Sequence, residues 1–197
     1  MEGNSGPRPT FTGWKDLQLT PLGLRQAAAV GGRLARENLG AIYSSDLQRA
    51  LVTAQNIARP HGLEVQTSPA LREVNYGAWA GLGEAEIKAG WAEEWAARKN
   101  DLLRSAPPDG ESVAQMWHRL EPVWNEISER HAQSGQDAVL VAHNGPVRVL
   151  MCRVLGVPLE NYRRVRVANC SISVVEIKSG APPLVSCVND TSHLIGL

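Results

Sequence analysis

His143 stands where a continuous apolar run, Ala138 to Ala142, gives way to turn formers that open a helix. A run with no alternation reads as a strand buried on both faces, as in parallel sheets. Asn144 and Gly145 make the turn, Pro146 suits a first helical position, and Val147, Leu150, Met151 and Val154 recur at helical spacing. The imidazole is thus expected at the carboxyl end of a strand and beside a helix N-terminus, where open α/β sheets bind ligands and anions are favoured. Arg49 has the same setting, in the first turn or so of the helix after Ile42-Tyr43-Ser44-Ser45. A cation there opposes the helix dipole at a cost of about 0.3–1 kcal/mol unless an anion lies nearby. Its guanidinium carries paired donors in a plane that matches a phosphate. Glu73, in Leu71-Arg72-Glu73-Val74, follows the next strand. A carboxyl between an anion site and a partly apolar lid can hold a proton and act as a general acid. Thr12-Gly13-Trp14 offers hydroxyl and backbone donors on a loop. Each feature alone has a plainer reading: a core histidine, a surface arginine, a solvated glutamate, a surface turn.

The elements that would position these groups follow from pattern. Thr20-Pro21 starts a helix whose buried stripe is Leu24, Ala27, Ala28, Gly31, Leu34 and Ala35. Ala41 to Tyr43 reads as a short strand. Ser45 is expected to cap a helix with the stripe Leu47, Ala50, Leu51, Ala54, Ile57 and Ala58, and Leu63 to Gln66 as a further strand. Gly77 to Asp109 is rich in Trp, Ala and Glu and predicts two short helices, a small cap inserted into a single domain spanning 1–197. A long helix follows from about Glu111 to His131, with Pro122 expected to kink it. Two β-rich runs, Ser171 to Lys178 and Leu184 to Val188, close the chain. Strand alternating with helix predicts an α/β fold of three layers, α/β/α, with a mostly parallel central sheet.

Bulk properties exclude several classes. The 197 residues carry 20 basic and 20 acidic side chains, so no global field recruits nucleic acid or a membrane surface. Cys152, Cys170 and Cys187 are odd in number and widely spaced, which argues for a reducing compartment and against a disulfide framework or thiolate metal site. No apolar run approaches a membrane span, and Met1 to Thr10 lacks a signal pattern, so a cytoplasmic location is expected. His61, His118 and His131 form no pair at metal-ligand spacing and read as structural or surface residues. Trp91 with Trp95, and Trp117 with Trp124, read as packing.

Together the pieces resemble the histidine phosphatase superfamily, the phosphoglycerate mutase-like enzymes. Phe11-Thr12-Gly13-Trp14, then Asp16 and Leu19-Thr20-Pro21-Leu22-Gly23, is similar to the family's lead into its first helix. Tyr43-Ser44-Ser45-Asp46-Leu47-Gln48-Arg49-Ala50 resembles its arginine helix, and Leu71-Arg72-Glu73 with Tyr76-Gly77 its acid-bearing stretch. Gly110-Glu111-Ser112 resembles the start of its long helix, Ala142-His143-Asn144-Gly145 its second histidine, and Asn189-Asp190-Thr191 with His193-Leu194 its tail. The resemblance implies a phosphoglycerate mutase-like fold and phosphoryl transfer through a covalent phosphohistidine. It implies Arg49 and His143 as phosphate ligands and Glu73 as general acid, with Asn144, Asn4, Thr12 and Gly13 as further phosphate or substrate contacts. No metal or other cofactor is implied. The expected partner is a small phosphorylated metabolite, and a homodimer is open.

One departure matters. The family's first strand ends in Arg-His-Gly, whose histidine is the nucleophile, and this chain has no such motif. The pattern places it immediately before Met1, so that one arginine and a strand inside the sheet are also missing. Loss of a strand of about 5–6 residues would leave its neighbours with unpaired backbone groups. Three readings stand: a start site assigned too far downstream, which is favoured, a trimmed form, or a pseudo-enzyme that binds phosphorylated ligands without turnover. On any of them the 197-residue chain is expected to be inactive. Phosphatase activity is preferred to mutase activity because the Gly77–Asp109 cap is short for a mutase that must shield phosphohistidine from water. The specific phosphomonoester is not legible.

Overall fold

Helix α1 (Pro21–Leu34) begins as the sequence predicts: Thr20 Oγ1 accepts from the Gly23 amide at 3.1 Å, and Pro21 sits where a helix has no use for an amide donor. In the computed structural model of the protein, residues 10–197 are described, so Asn4 lies outside the described residues. Strand β1 (Leu39–Ser44) is longer than predicted at both ends and is followed by α2 (Gln48–Ala58) and β2 (Val65–Thr67). Strand β2 starts later than predicted because the Leu63 amide is still held by Ala58 O at the end of the preceding helix. The cap contains α3 (Glu84–Gly90) and α4 (Ala92–Asn100). Helix α5 (Val113–His131) is opened by a reciprocal cap in which Ser112 accepts from the Gln115 amide and Gln115 from the Ser112 amide.

Strand β3 (Asp137–Val141) leads into α6 (Asn144–Val154), which starts two residues before the predicted proline. The Val147 amide already bonds His143 O at 3.0 Å, so His143 is the cap residue and Pro146 the third helical position. First-turn amides have no partner inside a helix, so the proline costs nothing there. Strands β4 (Ile172–Glu176) and β5 (Leu184–Asp190) complete the chain. The Ser45 cap is a second correction. Among the described residues its hydroxyl accepts only from Leu47 N at 3.3 Å, and the Gln48 amide that starts α2 is taken by Asp16 Oδ1 at 2.7 Å.

The parallel sheet has the order β2-β1-β3, and each face is covered by helices. Val139 and Val141 of β3 pack with Val30 of α1 and Ala54 and Ile57 of α2. Ala138 and Leu140 turn the other way, toward Leu120 and Ile127 of α5. These two clusters are the α/β/α layers. Strands β4 and β5 pair antiparallel as a separate two-stranded sheet. Between β3 and β4 lies a cavity of about 700 Å3 lined by 137–144 on one side and 167–178 on the other. No described helix is long and apolar enough to cross a membrane.

The tryptophans of the cap do pack. Trp79 is fully buried against Trp95, with ring centroids 5.6 Å apart. Phe11 reaches across from the first loop to the edges of Tyr76 and Trp95, at 4.9 and 5.9 Å. The cap is thereby fastened to the loop that carries Thr12 and Gly13.

Candidate active site

Arg49 sits in the first turn of α2 and is only 2% exposed. Its Nη1 donates to Lys15 O at 2.9 Å and its Nη2 to Gly13 O at 2.7 Å. A guanidinium has five N–H donors, and among the described residues two of them are spent on holding the loop. Burial lowers the Arg49 pKa, while the charges of Glu73 and Asp16 oppose that shift. Gly13 presents its carbonyl to the arginine, and Thr12 O accepts from Lys15 N in the same turn.

His143, at the carboxyl end of β3, is 4% exposed, and its Nε2 is buried without a hydrogen-bond partner among the described residues. Its pKa is held well below the ordinary 6.5, first by burial and then by the positive charge of Arg49. The arginine thus lies near enough for its charge to act on the imidazole. Asn144, next along, donates from Nδ2 to Val167 O at 3.0 Å. Its Oδ1 is buried without a hydrogen-bond partner among the described residues.

Glu73 completes the convergence. Its Oε1 accepts from Gly145 N at 3.0 Å and from its own neighbour Val74 N at 2.8 Å. The carboxyl thus lies on the N-terminus of α6, where the helix dipole favours negative charge. Gly145 is required for this: a Cβ there would collide with Glu73 Oε1 and stand 3.0 Å from Val74 Cγ2. Three groups that are 24 and 70 residues apart in sequence, Arg49, Glu73 and His143, meet at the carboxyl edge of the parallel sheet.

The machinery holding Glu73 went unseen in the sequence. Arg119, on α5, donates to Ala70 O (2.6 Å), Arg72 O (2.7 Å) and Glu73 O (2.8 Å) and forms an ion pair with Glu111 at 2.7 Å. Glu111 in turn accepts from Asn75 N at 2.8 Å. Trp14 Nε1 donates to Glu73 O at 2.6 Å, and its ring is flanked by Arg72 and Arg119 at 4.9 and 5.8 Å. In the sequence only Gly110-Glu111-Ser112 points to this network; nothing in the pattern around Arg119 on the long helix marks it. Replacement of Arg119 by methionine is expected to cost more than about 3 kcal/mol, since it leaves a mostly buried carboxylate and several carbonyls without a donor. Denaturant midpoints of the two proteins measure it.

The lowered His143 pKa has a consequence for stability. Between the ordinary value of 6.5 and the lowered one, the unfolded chain holds a proton that the folded chain does not. Stability is therefore complete above about pH 7 and falls as pH drops below 6.5, by at most about 1.4 kcal/mol per pH unit. A His143→Gln protein is expected to show a shallower acid slope and no change in slope at higher pH. Urea unfolding across that range reads the difference.

Known proteins fix the class. The family model for the histidine phosphatase superfamily (branch 1) matches residues 2–190, and the chain belongs to that superfamily. It is 30% identical over 193 residues to phosphoserine phosphatase 1 of Hydrogenobacter thermophilus, covering 98% of this chain and 90% of that protein. It is 35% identical over 190 residues to a probable phosphoglycerate mutase of Yersinia pestis, covering 92% and 86%. The crystal structure of the α-ribazole phosphatase from Shigella flexneri superposes with a TM-score of 0.84 at 25% identity, over 92% of this chain and 88% of that one.

Proposed function

We propose that this protein is the body of a phosphatase that hydrolyses a small organic phosphomonoester through a phosphohistidine, and that the 197-residue chain by itself does not turn over. The observation that carries the reading is the meeting of Arg49, His143 and Glu73 at one buried edge of the sheet. In this reading the free donors of Arg49, the buried Nε2 of His143 and the first amides of α6 hold the phosphoryl oxygens. The nucleophile of this reaction is the histidine of the family's Arg-His-Gly motif, which the 197 residues do not contain; it forms the P–N bond as the P–O bond to the leaving alcohol breaks. Glu73 gives its proton to that alcohol. Its Oε1 is already occupied as an acceptor, which leaves Oε2 to carry the proton. Water then attacks phosphorus, the P–N bond breaks, and Glu73 takes the proton back. The relatives' names, a phosphatase for phosphoserine and one for α-ribazole phosphate, support a small alcohol as leaving group.

The test has two parts. The 197-residue chain is expected to bind inorganic phosphate or vanadate, and to lose that binding in a His143→Ala variant, while releasing no phosphate from a generic phosphomonoester. Hydrolysis by the chain as it stands would overturn the inactivity, and failure to bind phosphate would overturn the site. In a form that does turn over, Glu73→Gln is expected to lower kcat by about 100-fold or more for a poor leaving group and much less for p-nitrophenol, which needs no proton. A mutase reading is favoured by the Phe11-Thr12-Gly13-Trp14 loop and the relative named as a mutase. Transfer between phosphoglycerates that outpaces hydrolysis would put it in place of the phosphatase.

A further inference from the structure

Trp14 has no part in the reaction as proposed, yet its loop joins the two ends of it. Gly13, Trp14 and Lys15 lie between the phosphate arginine and the acid. On one side Arg49 holds the two outer carbonyls, Gly13 O at 2.7 Å and Lys15 O at 2.9 Å, from the two arms of one planar guanidinium. On the other side the middle residue reaches Glu73. The indole Nε1, the only hydrogen-bonding atom of that side chain, donates to Glu73 O at 2.6 Å. The loop backbone rests on the same stretch: a Cβ at Gly13 would stand 3.1 Å from Val74 O and 3.2 Å from Tyr76 N. Glu73 O also accepts from Arg119 Nη2 at 2.8 Å, so both of its lone pairs are taken. The indole ring is flanked by Arg72 and Arg119, and each of those guanidiniums is fixed by a carboxylate, Asp46 for the first and Glu111 for the second.

We infer that Trp14 is a positioning residue which, on the reading of Arg49 as phosphate ligand and Glu73 as acid, couples occupancy of the one to the setting of the other through its indole N–H. The anion and the loop share one planar group. An anion bonded to the guanidinium fixes its plane from a second side, and the carbonyls of Gly13 and Lys15 are fixed with it. The indole passes that restraint to the peptide unit between Glu73 and Val74. This unit is rigid: its C=O takes the indole, and its N–H holds Glu73 Oε1 at 2.8 Å. Holding the oxygen end therefore holds the carboxyl, and the free Oε2 is set toward the leaving oxygen when a phosphoryl group is in place. Ordering one part lowers the cost of ordering the next, which is coupling without a change of shape. A second route to the same carboxyl exists, because Gly145 N at the start of α6 also bonds Oε1, at 3.0 Å. An anion on α6 would act through that route without Trp14.

The experiment follows amide exchange residue by residue by NMR in the 197-residue chain, without and with inorganic phosphate at about ten times the Kd of each protein. Phosphate is expected to slow Val74 and Asn75 at least about fivefold beyond the slowing of the β1 amides, which reports the general stabilisation that any ligand gives. Two substitutions separate the N–H from the packing of the ring. Trp14→Phe keeps an aromatic ring between the two arginines and has no N–H. Trp14→His carries its Nε2 at the ring position of the indole nitrogen, is neutral above about pH 8, and lacks the second ring. The extra slowing is expected to vanish in the phenylalanine protein and to persist in the histidine protein. Where the phenylalanine protein does not fold, the histidine protein still decides. Slowing that persists with phenylalanine overturns the inference and gives the coupling to Gly145. Slowing lost in the histidine protein also overturns it and makes Trp14 a packing residue. Phosphate bound by the unchanged chain without extra slowing at Val74 and Asn75 overturns the coupling and leaves the anion site standing. No phosphate bound at all overturns the anion site, and the coupling with it.

Discussion

Replacing Arg49 with lysine is expected to weaken binding of inorganic phosphate by about 10- to 100-fold, although the charge is kept. The physical ground is that each charge-assisted hydrogen bond is worth about 1.5–3 kcal/mol, and the substitution removes the plane that offers them in pairs. Two of the five guanidinium donors already hold Gly13 O and Lys15 O, which fixes the orientation of the other three. A lysine ammonium has three donors in all. If two go to the loop carbonyls, one remains for the anion, and if they go to the anion the loop is released. The second effect should be visible on its own as a small loss of stability and faster exchange of amides 12–17. Titration calorimetry with phosphate, together with unfolding midpoints, separates the two. Equal affinity in the lysine protein would mean that the anion sits elsewhere. Loss of stability with unchanged affinity would make Arg49 a staple of the loop and nothing more.

Much of this site could be read from the sequence because its parts are local signals. A strand that ends at His143 and a helix that starts beside it are written in five apolar residues and a turn, and the structure has both. Arg49 is legible for the same reason. What was not legible depends on partners far away in sequence. Asp16 takes the amide at the head of α2 from 32 residues away, so Ser45, a good local cap by type, was the wrong choice. Arg119 reaches the Glu73 loop across 46 residues, and nothing in its neighbours on α5 announces a buried role. Helix and strand ends moved by one or two residues where a competing hydrogen bond decided them, as Leu63 shows. The expected gap in the sheet is a different case. It came from a family pattern and not from a local signal; among the described residues β3 and β4 each pair on one side only and line one cavity.

The largest loss of stability from a single methyl group is expected at Gly77. Its φ is +49°, which is strained for an L side chain, and an added Cβ would overlap Pro108 O and crowd the backbone of Asp109 and Gly110. Those residues are the exit of the cap, and Gly77 is its entrance. The two segments cross in contact: Ala78 N bonds Pro108 O and Glu111 N bonds Asn75 O, each at 2.9 Å. Neither can give way alone, because Asn75 is also tied to Glu111 Oε1. The strain of the left-handed backbone, about 1–3 kcal/mol, and the overpacking, of similar size, should therefore combine to about 3 kcal/mol or more for Gly77→Ala. Gly135 is the control. Its φ of +68° is equally left-handed, but an added Cβ meets nothing within 4 Å, so Gly135→Ala should cost only about 1 kcal/mol. A comparable loss at both positions would mean that backbone strain dominates and that the crossing at Gly77 has room to relax. A large difference means that the crossing is rigid, and the Glu73 loop beginning two residues before Asn75 is then held by the same joint. In that case Gly77→Ala, even where it remains folded, should also weaken the work of Glu73, seen as a kcat lowered most for substrates whose leaving group needs a proton.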